Sequence, residues 1–542
     1  MTSPSVGLEA LRNMRTARRR NRVQEMDWFE AMYRVYLAAF FGGGVILWLS
    51  GLSADGPLSA EAISDLHRHT PHVIGLIAAA AVFLGARSGA NGGPISVEAA
   101  EVTHALLAPV PHGPALRRPV VQRLRTLAFA GALVGATANQ VLGRRVPDHA
   151  NLALWAIYGA VAGAVIATLY VVTALFVHTL RVPRLAANGA AMGLLAWQAG
   201  VTFAGTSAPG PFDAFGSLTL WWHRVNVLDL VSVAVVVGLA VVALAFVEYL
   251  SLEALVRRSA LVAQLRFAVT LQDLRTVILL RRSLSQEHMR VAPWFTVPRV
   301  VRRDIVVARG LRSLAHFPPR RLVRMASLAV VIAIALVFVH RGTTPLVVVA
   351  GFASFVLGLD IIEPLSQEID QPDRTDSFPV ERGLLHTKHL IAPAVASVLF
   401  LVVGVATAVA FEPRASTLPF AALLGASALL AGIAGAAINA VSGAPDPVGG
   451  ANQGLYLPPE MSGMGTVIRN AIPPAIATVG ALPVIALRES VDAPWPNTVR
   501  ALGGVAIVLT LCGGWVRQRD AIKDWFRNAQ RESRESLAGK GS

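Results

Sequence analysis

Seven acidic side chains crowd one short stretch of this chain: Asp360, Glu363, Glu368, Asp370, Asp373, Asp376 and Glu381, with Arg374 opposing them. Carboxylates at this density can move protons, hold a cation or dock a basic partner. A solvated loop whose acids neutralise neighbouring arginines has the same composition. The stretch is echoed, more weakly, at Glu98 and Glu101. Asp360 and Glu363 also close a long apolar run. An ionisable group inside a membrane costs roughly 2.5–3.5 kcal/mol and commonly marks an ion path. His67, His69 and His72 resemble a metal site only loosely, and a plain polar loop is the stronger reading. No metal centre, resident cofactor or catalytic residue is expected on this chain. There is no G-x-x-x-x-G-K-[ST], so a P-loop is excluded, and H-E-x-x-H and G-x-S-x-G are absent too. The single cysteine, Cys512, excludes an intrachain disulfide and a multi-cysteine zinc site.

The elements that carry these residues follow from composition. Of 542 residues, 54% are hydrophobic and 15% charged, against about 25% charged in a soluble domain. A soluble enzyme, a disordered chain and a fibrous repeat are excluded. The expected fold is an all-α polytopic membrane protein. Twelve apolar runs lie near 35–52, 72–86, 126–142, 153–177, 185–205, 228–250, 325–340, 345–362, 391–411, 418–441, 467–487 and 499–516. Gly131, Gly135, Gly159, Gly163, Gly432 and Gly435 mark where these helices approach closely. The net charge is +15, nearly all the excess arginine. A basic chain can bind nucleic acid, but in a multi-span protein Lys and Arg collect on the cytoplasmic face. With the N-terminus inside, the inside segments hold 40 of the 48 Lys and Arg. Both termini are therefore expected in the cytoplasm, on a multi-pass protein of the cytoplasmic membrane. Membrane lipid is an expected partner and nucleic acid is not.

The runs divide six and six. A basic interfacial helix (1–34), carrying Arg15, Arg18, Arg19 and Arg22 before Trp28 and Phe29, precedes a first six-span half (35–250). Basic cytoplasmic linker helices (251–324) lead to a second half (325–516) and a cytoplasmic tail (517–542). Each half has a polar cytoplasmic segment after its second span. Leu457-Pro458-Pro459-Glu460 lies between spans ten and eleven, and Pro473-Pro474 lies near the start of span eleven. These four prolines read as a hinge, since proline frees backbone carbonyls and permits a bend. Phe212, Phe215, Trp221 and Trp222, between spans five and six, read as an outer interfacial element.

These parts resemble the type-2 ABC exporter permease, here as two fused halves. The wording resembles actinobacterial permeases at Leu271-Gln272-Asp273-Leu274-Arg275-Thr276-Val277, at Leu280-Arg281-Arg282, at Leu359-Asp360-Ile361-Ile362-Glu363-Pro364-Leu365-Ser366-Gln367-Glu368 and at Leu457-Pro458-Pro459-Glu460. The resemblance implies a separate cytoplasmic ABC ATPase, in two copies, that binds ATP and magnesium. It implies docking on about 94–118 and 360–386, hence on Glu98, Glu101, Asp360, Glu363, Glu368 and Asp370. The first segment is far less acidic than the second, which puts equal engagement of two ATPases in doubt. The nearly charge-free spans fit a hydrophobic or amphipathic cargo moved outward. Three alternatives stand beside this reading. One is a secondary, proton-coupled transporter using Asp360 or Glu363. Another is a membrane-embedded lipid-linked transferase using outer acids such as Asp55, Glu61 and Asp65. The last is a membrane scaffold.

Overall fold

The computed structural model describes residues 59–93, 95, 112–146, 151–204, 208–221, 227–251, 253, 255–256, 290–299, 303–369, 371, 375, 377, 379–442, 464–490 and 492–538, with isolated positions 9, 13, 16, 17 and 32. The first expected span (35–52), Glu98, Glu101, Asp370, Pro458, Pro459 and Trp222 lie outside the described residues. The chain is all-helical, with no β-strand among the described residues. Nine of the described helices are long and apolar enough to cross a membrane, or ten if one bent pair counts as a span. The chain divides into two compact units, Met1–Arg266 and Phe267–Ser542.

In the first unit α1 (Ala60–Ala90), α2 (His112–Gly143), α3 (Leu152–Thr179) and α4 (Arg184–Ala204) follow in order. Then come a short α5 (Asp213–Ser217), a 3-10 turn and α6 (Val227–Ala245). α3 is central and touches α1, α2 and α6. Its contacts with α2 follow from glycines spaced four apart on both helices. A Cβ on Gly135 would lie 2.1 Å from the Gly159 carbonyl oxygen, and one on Gly163 would lie 2.1 Å from that of Gly131. Backbone therefore packs on backbone, as small-xxx-small pairs allow. α1 meets α3 in the same way at Gly85 and Gly89. α4 forms at the expected position but is not among the nine apolar helices, since Arg184, Asn188 and Gln198 dilute it.

The outer element departs from expectation. Phe212, Phe215, Leu218 and Leu220 are buried inside the unit rather than spread as interfacial anchors. Only Trp221 keeps a half-buried position, edge-on to Tyr158. The short α5 packs closely on α1, where a Cβ on Gly216 would lie 2.3 Å from the Pro71 carbonyl oxygen, and the buried Gln198 and Asn139 hold the residues on either side of it. Asn139 Nδ2 donates to the Trp155 and Thr219 carbonyls at 2.7 and 3.0 Å.

In the second unit the amphipathic α7 (Ile305–Ala315) leads into α8 (Pro319–His340), α9 (Leu346–Ile361), α10 (Glu363–Ile369), α11 (Arg382–His389), α12 (Ile391–Phe411), α13 (Thr417–Ser442), α14 (Met464–Val479), α15 (Pro483–Glu489) and α16 (Pro494–Ala538). Pro319 opens α8 at a position where its missing N–H is no loss. Gly342, at φ +109°, closes that helix in the left-handed conformation. Thr343 N–H then reaches the Phe338 carbonyl and Gly342 N–H that of Val339, the pattern of a Schellman end. α13 is central, touching α9, α12, α14 and α16. α12 leaves Val395, Val398, Leu399 and Val402 more than half exposed. Such a face suits hydrocarbon rather than water.

Three features of the second unit go beyond what the apolar runs show. Span eight (345–362) returns as α9, and at its end the chain bends by 60° into α10. Pro473 and Pro474 sit inside α14, whose helix runs on through them; the break falls at 480–482, and Pro483 opens α15. The last span continues into the tail as one helix, α16, unbroken for 45 residues. At 1.5 Å per residue that is roughly 68 Å, about twice a bilayer's hydrocarbon core.

Candidate functional site: a clamped elbow in the second unit

The bend between α9 and α10 is local chemistry. Glu363-Pro364 begins α10, and Pro364 has no N–H to give the Asp360 carbonyl four residues back, so α9 cannot run straight on. Ile362 therefore turns, and the chain restarts in a new direction. The carboxylates expected to face a partner instead face arginines of the same unit. Asp360 is buried, and its two oxygens accept from Arg324 Nε and Nη2, each at 2.8 Å, a bidentate pair. Arg321, 1% exposed, donates to Glu363 Oε2 and to the Asp360 carbonyl oxygen, bridging the two sides of the bend. Its guanidinium carbon lies 3.7 Å above the Phe317 ring. Gln367 Nε2 donates to the other Glu363 oxygen at 3.1 Å.

Glu368, also 1% exposed, sits at the centre of a second cluster. Arg309 of α7 lies 3.2 Å away and His389 of α11 3.7 Å. Thr375 Oγ1 donates to its side chain at 3.4 Å and to its backbone carbonyl at 3.0 Å. Lys388 of α11 reaches Asp304 at 3.2 Å. Asp304 caps α7, accepting from Val306 and Val307 N–H. Burial pushes the Asp304 carboxyl up, but the Val307 N–H, Lys388 and the Val306 N–H outweigh it, so the group is held below its ordinary range. Side chains of α7, α8 and α11 thus converge on the elbow.

This arrangement can transmit force. The acids are occupied by fixed cations, and no group of three metal-ligating side chains occurs among the described residues. Glu363 and Glu368 both pair with arginines of the same unit, and Glu368 is buried. What the elbow offers outward is Gln367, Gln371, Pro379, Val380 and Glu381, all exposed. The acidic run was legible in the sequence; its partners Arg309, Arg321, Arg324 and His389 were not singled out, although Arg321 and Arg324 share one face of a helix at i, i+3.

A second polar cluster, also missed, lies in the first unit. His72 Nδ1 is 2.8 Å from Asp213 Oδ2, Gln198 Nε2 donates to Asp213 Oδ1 at 2.7 Å, and Phe212 N–H donates to Gln198 Oε1 at 3.1 Å. His72 is therefore a tether for α5, and no metal-ligating group of three forms around it among the described residues. Glu61 and Asp65 are exposed on α1 and Asp55 lies outside the described residues. No protein-family model, no curated protein and no solved structure matches this chain.

Proposed function

We propose that this chain is the membrane-spanning permease subunit of an ATP-binding-cassette exporter. It has twelve spans in two six-span halves, lies in the cytoplasmic membrane and keeps both termini in the cytoplasm. ATP and magnesium bind to a separate soluble ATPase, present in two copies. Closure of that ATPase moves the elbow, and the spans switch an inside-facing path to an outside-facing one, carrying a hydrophobic or amphipathic cargo outward.

The observation that carries this reading is the clamped elbow. A helix bent by 60° at the end of an apolar span, and fixed by buried ion pairs to the helices beside it, is a lever. A push on its exposed face reaches α8 and α9 without being absorbed by loose side chains. The lack of a P-loop in the sequence fits an energy source on another chain. The proton-coupled alternative is weakened by the same pairs, because Asp360 and Glu363 would each have to release an arginine before carrying a proton.

Glu381→Arg, on the exposed face, tests the docking surface. Copurification of a P-loop ATPase is expected to fall at least tenfold while the permease stays folded. Unchanged copurification and transport would remove the docking assignment.

A further inference from the structure

The second unit encloses a cavity of about 380 Å³ between α8, α12 and α13. That size falls within the roughly 300–1,000 Å³ of small-molecule sites. It starts deep at Ala329 and Leu429 and ends at His340, Arg414 and Arg488. Eleven residues separate Ala329 from His340 on one helix, roughly 16 Å, about half the hydrocarbon thickness of a bilayer. The polar ends of all three helices point the same way, so the cavity has the depth of one leaflet. Below its mouth the walls are apolar, including Leu336, Phe400 and Leu401. A space of that lining stays dry and takes apolar matter.

The mouth has a different chemistry. His340 Nδ1 is buried and has no hydrogen-bond partner. Arg414 is exposed, and no ion pair engages it among the described residues. Glu412, which also lines the mouth, is held by Arg341 at 2.8 Å. Arg488 is held in place by Thr344 Oγ1 at 2.8 Å. Phe420, on the wall, stacks on the half-exposed Trp495 with ring centres 4.4 Å apart. Tryptophan at such a rim matches the level of lipid headgroups. One free guanidinium and one unsatisfied imidazole nitrogen, above an apolar pit one leaflet deep, suit a phosphate with a hydrocarbon tail.

We propose that this cavity holds one acyl chain of an anionic phospholipid, with the phosphate at Arg414 and His340. The inference rests on the membrane-spanning reading and not on the ATPase. On the orientation proposed above, the lipid comes from the outer leaflet.

The test uses the full chain in vesicles of phosphatidylglycerol or of phosphatidylcholine, each with a photoactivatable diazirine in one acyl chain. Crosslinks are mapped by peptide mass spectrometry. Phosphatidylglycerol is expected to label Leu336 and Leu401 more strongly than phosphatidylcholine does. Leu399 and Val402, on the lipid-facing side of α12, should take label equally from both. Arg414→Glu should bring the cavity's preference between the two lipids to one. A Cβ on Gly404 would meet nothing closer than 3.7 Å, so Gly404→Leu fits the cavity and should abolish its label while sparing Leu399. An excess of unlabelled oleoyl-lysophosphatidylglycerol should compete the same label away in the unaltered chain. A cavity that stays unlabelled while Leu399 is labelled, equal labelling by the two lipids, or label that resists the competitor would each overturn the proposal.

Discussion

Arg321 carries more of the second unit than any acid in the run that first draws the eye. It is buried, it joins Glu363 to the carbonyl of Asp360, and it lies on Phe317. Removing one partner of a buried pair leaves a charge stranded and costs about 3–5 kcal/mol. Arg321→Met should therefore lower the thermal midpoint of the purified protein sharply, and Arg321→Met with Glu363→Gln should recover part of the loss. An unchanged midpoint in the single variant would show that the clamp is idle. Asp304 gives the matching pH experiment. Its carboxyl is held below the ordinary value of about 3.9, so its contribution is complete above that value and is lost as pH falls through the native one. Asp304→Ala should cost about 1 kcal/mol near neutrality through the lost cap, with the gap from the unaltered chain closing as pH falls below the ordinary carboxylate range. A gap that widens in acid would contradict this. The sequence shows Asp360, Glu363 and Glu368 as anomalies because charge beside apolar runs is visible in one dimension. It does not show which way they face, since Arg309 and His389 come from helices far along the chain.

Helices were the most legible elements. The apolar runs at 153–177, 391–411 and 418–441 return as α3, α12 and α13 with no end moved by more than two residues, because twenty apolar residues have few other ways to satisfy their backbone. The glycines singled out in the sequence do hold helices together, and the α2–α3 crossing yields a direct test. Gly135→Leu would force a side chain into the Gly159 carbonyl and should destabilise the protein on the order of 3 kcal/mol. Gly193→Leu on α4, where an added Cβ meets nothing within 4 Å, should leave the thermal midpoint unchanged. Equal effects would mean that the crossing is looser than its geometry. The elbow, the break at 480–482 and the unbroken α16 were not legible from hydropathy, which reads where an element is apolar and not where its axis turns. Pro364 and Pro483 were the available signals. Pro473 and Pro474 sit inside α14 without ending it, although the backbone carbonyls of Arg469 and Asn470, one turn back, lose their usual donors. Around them α14 packs closely on α13, with the Pro473 carbonyl oxygen against Gly435.

At the scale of the whole molecule, two compact helical units and an exposed apolar surface place the chain among multi-span membrane proteins, and composition alone had already led there. Function lies further from the sequence, because the proposed energy source is a protein this chain does not contain. The clamped elbow makes one demand on that partner: it must press on the exposed face around Gln367 and Glu381, beyond the buried acids. The most direct measurement is purification of the tagged chain from its own membranes in mild detergent, with mass spectrometry of what accompanies it and an assay of ATP hydrolysis. The account predicts a stoichiometric soluble protein bearing a P-loop, with ATPase activity that falls when Glu381→Arg weakens the complex. A chain that purifies alone, and moves cargo without ATP, would contradict it.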